Sequence, residues 1–424
     1  MEKPGYGRIP SFLCDWITYL CQVFPARSIK TFIELLFGSM LSSSGFVCQA
    51  LLHIQYGRDW TAYYKWIERG RWSWLALAKQ MAGLVIRWFD EPVWHLIIDD
   101  TFVLRASKKA PGVAMHHPHG NKVNQPDYVR AQCWVALAVT VGHQAIPLLM
   151  RLAGTGNHGK LATAHSLLRV MAGYFRPARL LVDCWYMRGW LIEQVLAMGL
   201  EVIGQVRIDT ALFEVPAPTR KRGRPRKYGE RIVFDRWPEQ RLWLRLYGQE
   251  QGVRIRSGMA AARFLHGRLV RWVWTQFERE DGRLTQPRLI LSTETGLSGE
   301  QILAAYAKRW SIEPMFNQLK NGWGMKQSWQ QTRQVLARWV QVELVAYGLM
   351  QLLTLQGGEE VRRLADLCPW RSGQPVTAGL VRLGLARILG PVNVRQWWDA
   401  KSRKFGPPEA VGPPGRRAEM RKAA

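Results

Sequence analysis

The segment YAKRWSIEPMFNQLK carries four side chains suited to metal and phosphate chemistry: Tyr306, Arg309, Glu313 and Lys320. Their spacings are three, four and seven residues. At about 100° per helical residue, they fall within a stripe roughly 60° wide. An acid flanked by two cations and a phenol is poor core material, but it can hold a divalent ion and a phosphodiester. Two earlier segments, LIIDDT and LLVDCWYM, each place an aspartate at the end of an apolar run. Three carboxylates, Asp100, Asp183 and Glu313, are therefore expected to converge on divalent metal. Hard cations such as Mg²⁺ take oxygen ligands. Two such ions about 4 Å apart activate a water and stabilise the leaving oxygen in phosphodiester cleavage.

Each residue also has a plainer reading. Adjacent strand residues face opposite ways, so only one of Asp99 and Asp100 can join the cluster. Asp100 is the expected ligand and Asp99 the competitor. Taken alone, Asp183 reads more often as a helix N-cap than as a ligand, although the carboxyl end of a buried strand is where open α/β sheets bind ligands. Arg309 and Glu313 also form an i,i+4 charge pair. Pro314 removes a backbone donor and disfavours helical geometry at Glu313. The helix is thus expected to kink or restart there.

Composition narrows the partners. The chain has 424 residues, 47% hydrophobic, with 59 Lys+Arg against 32 Asp+Glu and a formal charge of +27. That length supports two or three domains. So large a positive excess favours a polyanion, nucleic acid first. The longest apolar run, LVAYGLMQLLTL, is too short to span a bilayer, and MEKPGYGRIP lacks the apolar stretch of a secretory leader. Six scattered cysteines without CxxC pairing argue against structural zinc and disulfides. The expected location is the cytoplasm, in association with the nucleoid.

The elements that must position the acids follow from periodicity. Residues 1–92 read as a helical region, either an ordinary bundle or a domain that binds DNA ends. SIKTFIELLFGSML and WSWLALAKQMAGLVIRWF have helical apolar spacing, with Ser28 and Ser73 as caps. Residues 93–207 read as the first part of an α/β core with a mixed sheet. VWHLIID is a strand, YVRAQCWVALAVTVG and AIPLLMRLA pair as a hairpin across Gly142-His143, GKLATAHSLLRVMAGYF and RGWLIEQVLAMGL are helices, and RLLVD and EVIGQVR are strands. Residues 208–284 read as a β-rich insertion containing the strand-like RIVFDRW, QRLWLRLYG and RLVRWVWTQFE. Residues 285–358 return to the core with PRLILSTE and a helix capped by Ser298 and Gln301. QVLARWVQVELVAYGLMQLL forms a further long helix. Residues 359–424 close the chain, with a basic Pro/Gly-rich tail from about 400 that composition predicts to be disordered.

The pattern Y-x2-R-x3-E-x6-K resembles the signature around the last acid of bacterial insertion-sequence DDE transposases of the Tyr-Arg-Glu-Lys branch. The resemblance covers roughly residues 93–355. It implies a ribonuclease H-like core with Asp100, Asp183 and Glu313 as the acidic triad, and phosphate-handling roles for Tyr306, Arg309 and Lys320. It also implies Mg²⁺-dependent cleavage at inverted repeats, with Mn²⁺ as substitute, and strand transfer into target DNA by a homodimer. A catalytically silent DNA-binding derivative is the alternative; a nuclease without strand transfer shares the same residues.

Further motifs sit beside this one. RKRGRPRKYGER resembles an AT-hook, with Arg222, Arg224, Arg226 and Lys227 as candidate DNA contacts in the narrow A·T minor groove. A solvated basic loop is the plainer reading. Of the 21 tryptophans, Trp237, Trp243, Trp272 and Trp274 lie in or near the insertion. Most such residues pack, though an aromatic there could stack on a flipped base. His116, His117 and His119 cluster without Cys or acidic ligands, which favours a polar loop over a metal site.

Overall fold

The computed structural model describes residues 9–117, 126–154, 159–216, 226–246, 248–367 and 373–408. The amino-terminal part is helical: α1 (Ser11–Cys21), α2 (Ala26–Leu41), α3 (Val47–Leu51), α4 (Trp60–Arg69) and α5 (Trp74–Trp88). Asp59 caps α4 and Ser73 caps α5 through backbone N–H groups. Ser28 does not cap α2. That helix starts at Ala26 behind Pro25, whose fixed φ suits a helix entry, and Ser28 is buried.

The α/β part follows as β1 (Trp94–Leu104), β2 (Val113–His116), β3 (Val129–Val141), β4 (Gln144–Leu152), α6 (Gly159–Met171), β5 (Ala178–Val182), α7 (Gly189–Ala197) and β6 (Glu201–Val206). Next come β7 (Leu212–Phe213), β8 (Gln240–Leu246), β9 (Gln249–Ala262), β10 (Arg268–Phe277) and β11 (Arg288–Ser292). The chain continues through α8 (Gly299–Ala307), α9 (Ile312–Asn321), α10 (Arg333–Gln356), α11 (Glu359–Ala365) and α12 (Ala378–Leu389). A small ribbon of β12 (Trp398–Asp399) and β13 (Lys404–Phe405) ends the described chain.

One mixed sheet organises the molecule. Its order is β4-β3-β1-β5-β6-β11-β10-β9-β8, with β2 also paired to β3 and β7 also to β9. The β3–β4 hairpin turns through Gly142, which adopts φ 57°, as a tight turn requires. Strands β1, β5 and β6 are parallel. β3 is buried almost without interruption, because both of its faces are covered. Helices α8, α9 and α10 contact one face, while α6 and α7 contact the other.

Three expectations change in the sheet. β1 does not stop at Asp100 but runs on to Leu104, because Phe102 and Val103 stay paired with β3. PRLILSTE does form a strand, yet it lies antiparallel to β6 and passes the sheet directly to β10. The strands expected as an insertion therefore extend the same sheet. RIVFDRW is not a strand. Phe234 and Trp237 pack edge-on against Trp272, and the backbone between them makes a 3₁₀ turn.

Helix α10 is the central pillar, buried over most of its length between β4 and helices α2, α4, α5 and α12. Its Arg338 donates to the carbonyls of Ile67, Glu68, Gly70 and Trp72 at 2.8–3.1 Å. Trp339 Nε1 reaches the Gly45 carbonyl at 2.8 Å. Fully buried Glu34 on α2 pairs with Arg395 at 2.9 Å, and Phe405 packs on Phe37. Hence residues 400–408 are not wholly tail-like, since an apolar Phe405 gains more from burial than a charged segment loses. Residues 409–424 lie outside the described residues. Among the described residues, no helix is long and apolar enough to cross a membrane.

Candidate active site

Register decides which acids meet. Parallel pairing of β1 and β5 ends at Ile98–Val182. The next residues on the two strands are Asp99 and Asp183. Laterally aligned residues point to the same face, so Asp183 shares a face with Asp99 and not with Asp100. Arg309 Nη1 lies 3.1 Å from Asp99 Oδ2 and 3.8 Å from Glu313 Oε1. Lys320 Nζ donates to Thr101 Oγ1 at 2.9 Å, on the same face two residues along β1. Tyr306 is buried, and the Arg309 guanidinium stands 5.7 Å from its ring centroid.

The structure therefore gathers Asp99, Asp183, Glu313, Arg309, Lys320 and Tyr306 on the α8–α9 side of the sheet. Asp100 is the expected residue that does not join them. Its carboxylate is turned to the opposite face. There it accepts from Lys160 Nζ at 3.1 and 2.8 Å, from Tyr186 Oη at 2.9 Å and from Cys133 Sγ at 3.4 Å. The alternation rule left the choice between the two acids open because the β1–β5 register is not written in the sequence. Lys160 was missed altogether, having no motif around it. Tyr186 offered one signal, its place three residues after Asp183.

The helical stripe is broken rather than continuous. α8 ends at Ala307, Lys308–Ser311 form a 3₁₀ turn, and α9 begins at Ile312. Pro314 thus falls in the first turn of α9, where a missing N–H costs nothing. Arg309 lies in this 3₁₀ turn, within reach of both Asp99 and Glu313. Ser298 and Gln301 start α8 with a full capping box.

The electrostatics of this face are unbalanced. Burial, followed by the nearby Asp183 carboxylate, pushes the Asp99 carboxyl up from 3.8 to about 8, with Arg309 opposing. Burial also works against charge on Arg309, but Tyr306, Asp99, Glu313 and Asp183 together hold it above the usual guanidinium range. Asp99 Oδ1 accepts from the Asp100 backbone N–H at 2.8 Å. Asp183 Oδ1 accepts from the backbone N–H groups of Trp185 and Tyr186 at 3.0 and 3.1 Å. These bonds close a turn over Cys184–Tyr186, and Asp183 does not cap α7, whose N-cap is Arg188. An all-oxygen donor set with carboxylates resisting joint ionisation fits a hard divalent cation. As arranged, no three His, Cys, Asp or Glu side chains among the described residues are grouped closely enough to hold an ion. Arg309 bridges Asp99 and Glu313 instead.

The other candidates lie elsewhere. Arg222 and Arg224 fall outside the described residues. Arg226 and Lys227 are exposed, and Lys227 lies beside the Tyr228 ring, which packs on Phe213 of β7. In sheet order β5, β6, β11, β10 and β9 separate that edge from β1, roughly 25–30 Å at the usual strand spacing. Trp272 is fully buried, and Trp274 is capped by Arg256 at 4.7 Å. Trp237 packs edge-on against Trp272, whereas Trp243 is 66% exposed beside Arg241. His116 sits against Phe102, His117 against Tyr128, and His119 lies outside the described residues.

Two acids on neighbouring parallel strands thus share a face with a third on a helix. A family model described as "Transposase DDE domain" matches residues 92–349, more than half of the chain. The chain belongs to the DDE transposase family. No curated protein is similar enough to match it. Among solved structures it resembles piggyBac transposase in a synaptic complex with hairpin DNA, at 9% identity and a TM-score of 0.39. That likeness covers 82% of this chain and 59% of the other, so the chain spans under two thirds of that relative's length.

Proposed function

We propose that this protein is a transposase of the Tyr-Arg-Glu-Lys branch that cuts DNA at the ends of an insertion sequence and joins the freed 3′-hydroxyl to target DNA. The observation that carries this reading is the shared face of Asp99, Asp183 and Glu313, with Arg309 between two of them. The sheet order, a β3–β4 hairpin beside parallel β1, β5 and β6, supports a ribonuclease H-like core.

Asp99, rather than Asp100, is the first acid in this reading. Asp99, Asp183 and Glu313 would hold Mg²⁺, or Mn²⁺ in its place. Bound there, a divalent ion supplies Lewis acidity at the scissile phosphate and lowers the cost of deprotonating the attacking water or hydroxyl. Arg309 exchanges its carboxylate partners for substrate phosphate, to which a guanidinium binds bidentately. Lys320, anchored over Thr101, neutralises a second phosphate as a point charge. Tyr306 fixes the Arg309 guanidinium from below. The +27 charge supports duplex DNA as the partner, both terminal repeats and target. Two element ends must be cut and joined together, which calls for a homodimer. The exposed Arg226 and Lys227, at the far edge of the sheet, suit DNA flanking the cut.

The test is a cleavage and joining assay with Mg²⁺ on DNA bearing the inverted repeats that flank the gene. Nicked ends and joined products that vanish in Asp99→Asn, Asp183→Asn and Glu313→Gln are expected. Salt-sensitive DNA binding without metal-dependent cleavage would replace this reading with a catalytically silent DNA-binding protein.

A further inference from the structure

A continuous hydrogen-bonded path links the carboxylates of Asp99 and Asp183. The Asp100 backbone N–H donates to Asp99 Oδ1 at 2.8 Å. The Asp100 carboxylate accepts from Tyr186 Oη at 2.9 Å. The Tyr186 backbone N–H then donates to Asp183 Oδ1 at 3.1 Å. One link in this path, phenol to carboxylate, joins two side chains. A second path runs beside it. Lys160 Nζ grips both Asp100 oxygens and lies 4.7 Å over the Trp185 ring. The Trp185 backbone N–H donates to the same Asp183 oxygen at 3.0 Å.

The surroundings make these paths stiff. The Asp100 side chain is 10% exposed, Lys160 17%, and Tyr186 is wholly buried. Displacing any member strands a buried charge or hydroxyl, a penalty that holds the others in place. No residue of this group lies on the Asp99 face. What it controls is where the two strand-borne carboxylates stand relative to each other.

We propose that Asp100, Lys160 and Tyr186 form a brace that sets the spacing and orientation of the Asp99 and Asp183 carboxylates for divalent metal. This rests on the reading of Asp99 and Asp183 as the metal-holding pair. The three are positioning residues. Partners behind metal ligands typically tune affinity 10- to 100-fold. Mg²⁺ demands near-ideal octahedral geometry at short distances, while Ca²⁺ accepts longer, irregular and flexible coordination; Mn²⁺, nearer Mg²⁺ in size, is its paramagnetic stand-in. Loosening the brace should therefore weaken Mn²⁺ binding more than Ca²⁺ binding, which general destabilisation would not do.

The experiment is titration of the full chain with Mn²⁺ and separately with Ca²⁺, without DNA, followed by calorimetry and by electron paramagnetic resonance of free Mn²⁺. Tyr186→Phe keeps the buried ring and deletes one donor. Its Mn²⁺ affinity is expected to fall by about 10-fold or more, its Ca²⁺ affinity by clearly less, and its Tm to stay within a few degrees. Lys160→Arg retains a charged donor and should restore near-normal Mn²⁺ binding relative to Lys160→Met. If Lys160→Met does not fold, Tyr186→Phe alone decides. Unchanged Mn²⁺ affinity in Tyr186→Phe, or equal loss of both ions, overturns the brace while Asp99→Asn and Asp183→Asn still lose binding. Failure of the unaltered chain to bind Mn²⁺ at millimolar concentration also overturns it, because a brace holds the pair ready. Normal binding by Asp99→Asn and Asp183→Asn would instead remove the metal-site reading itself.

Discussion

Asp99 and Asp100 carry the same side chain one residue apart on β1, yet their surroundings are opposite. On the Asp99 face a second carboxylate crowds in from β5, a half-exposed glutamate stands across a bridging arginine, and the Asp99 carboxyl is pushed up to about 8. On the Asp100 face a lysine, a phenol and a thiol converge on one carboxylate. One face holds too much negative charge for its own cations and the other is satisfied. The pleat alone separates the two surroundings: one carboxyl is crowded by other acids, and the other is completed by its donors.

The comparison can be broken by exchanging which acid is neutralised. Asp99→Asn should abolish Mg²⁺-dependent cleavage, a drop on the order of 10³-fold or more given the several kcal/mol a metal ligand set supplies, with the fold intact by circular dichroism. A variant that cleaves normally would return the catalytic role to Asp100. The opposite face should answer in stability. Lys160→Met leaves a buried carboxylate without its cation and should cost about 3–5 kcal/mol, read as the urea midpoint at unchanged slope.

Titration sharpens the contrast further. The Asp99 value is about 8 in the folded chain against 3.8 ordinarily, so the folded state holds the extra proton between those limits. Stability should therefore fall as pH rises from about 4 to about 8, with a slope that flattens in Asp99→Asn. Mn²⁺ affinity should rise over the upper part of the same window, because the ion displaces that proton. The smallest effect belongs to Lys320. Lys320→Met should leave stability nearly unchanged and reduce the salt slope of DNA binding by about one.

Much of this was legible in the chain. The Gly142-His143 turn, the Ser298–Gln301 capping box and the long α10 all follow from local chemistry, because turns, caps and apolar periodicity act within a few residues. Type and spacing place Glu313, Arg309, Lys320 and Asp183 together, and the structure brings them to one face of the sheet. The sequence favours Asp100 on that face with Asp99 as competitor, and the structure puts Asp99 there, since strand alternation says that two neighbours differ without saying which one faces the partner strand's acid. That information lies in the Ile98–Val182 register, fixed by packing across about 80 residues of intervening chain. Lys160 was invisible for the same reason, as its partner stands 60 positions away. The 3₁₀ turn at Lys308–Ser311 was only half visible. Pro314 announced a restart, but no residue in the segment marks where the break falls.

The grip of Arg338 on four carbonyls of the amino-terminal helices bears on inheritance. Those helices share their interior with α10, some 270 positions downstream, so they are not a detachable cassette. A polypeptide nicked between α5 and β1 should remain a complemented pair of fragments that co-purify. Recombination that swapped the first 90 or so residues between relatives would produce chains that aggregate unless α10 travelled with them.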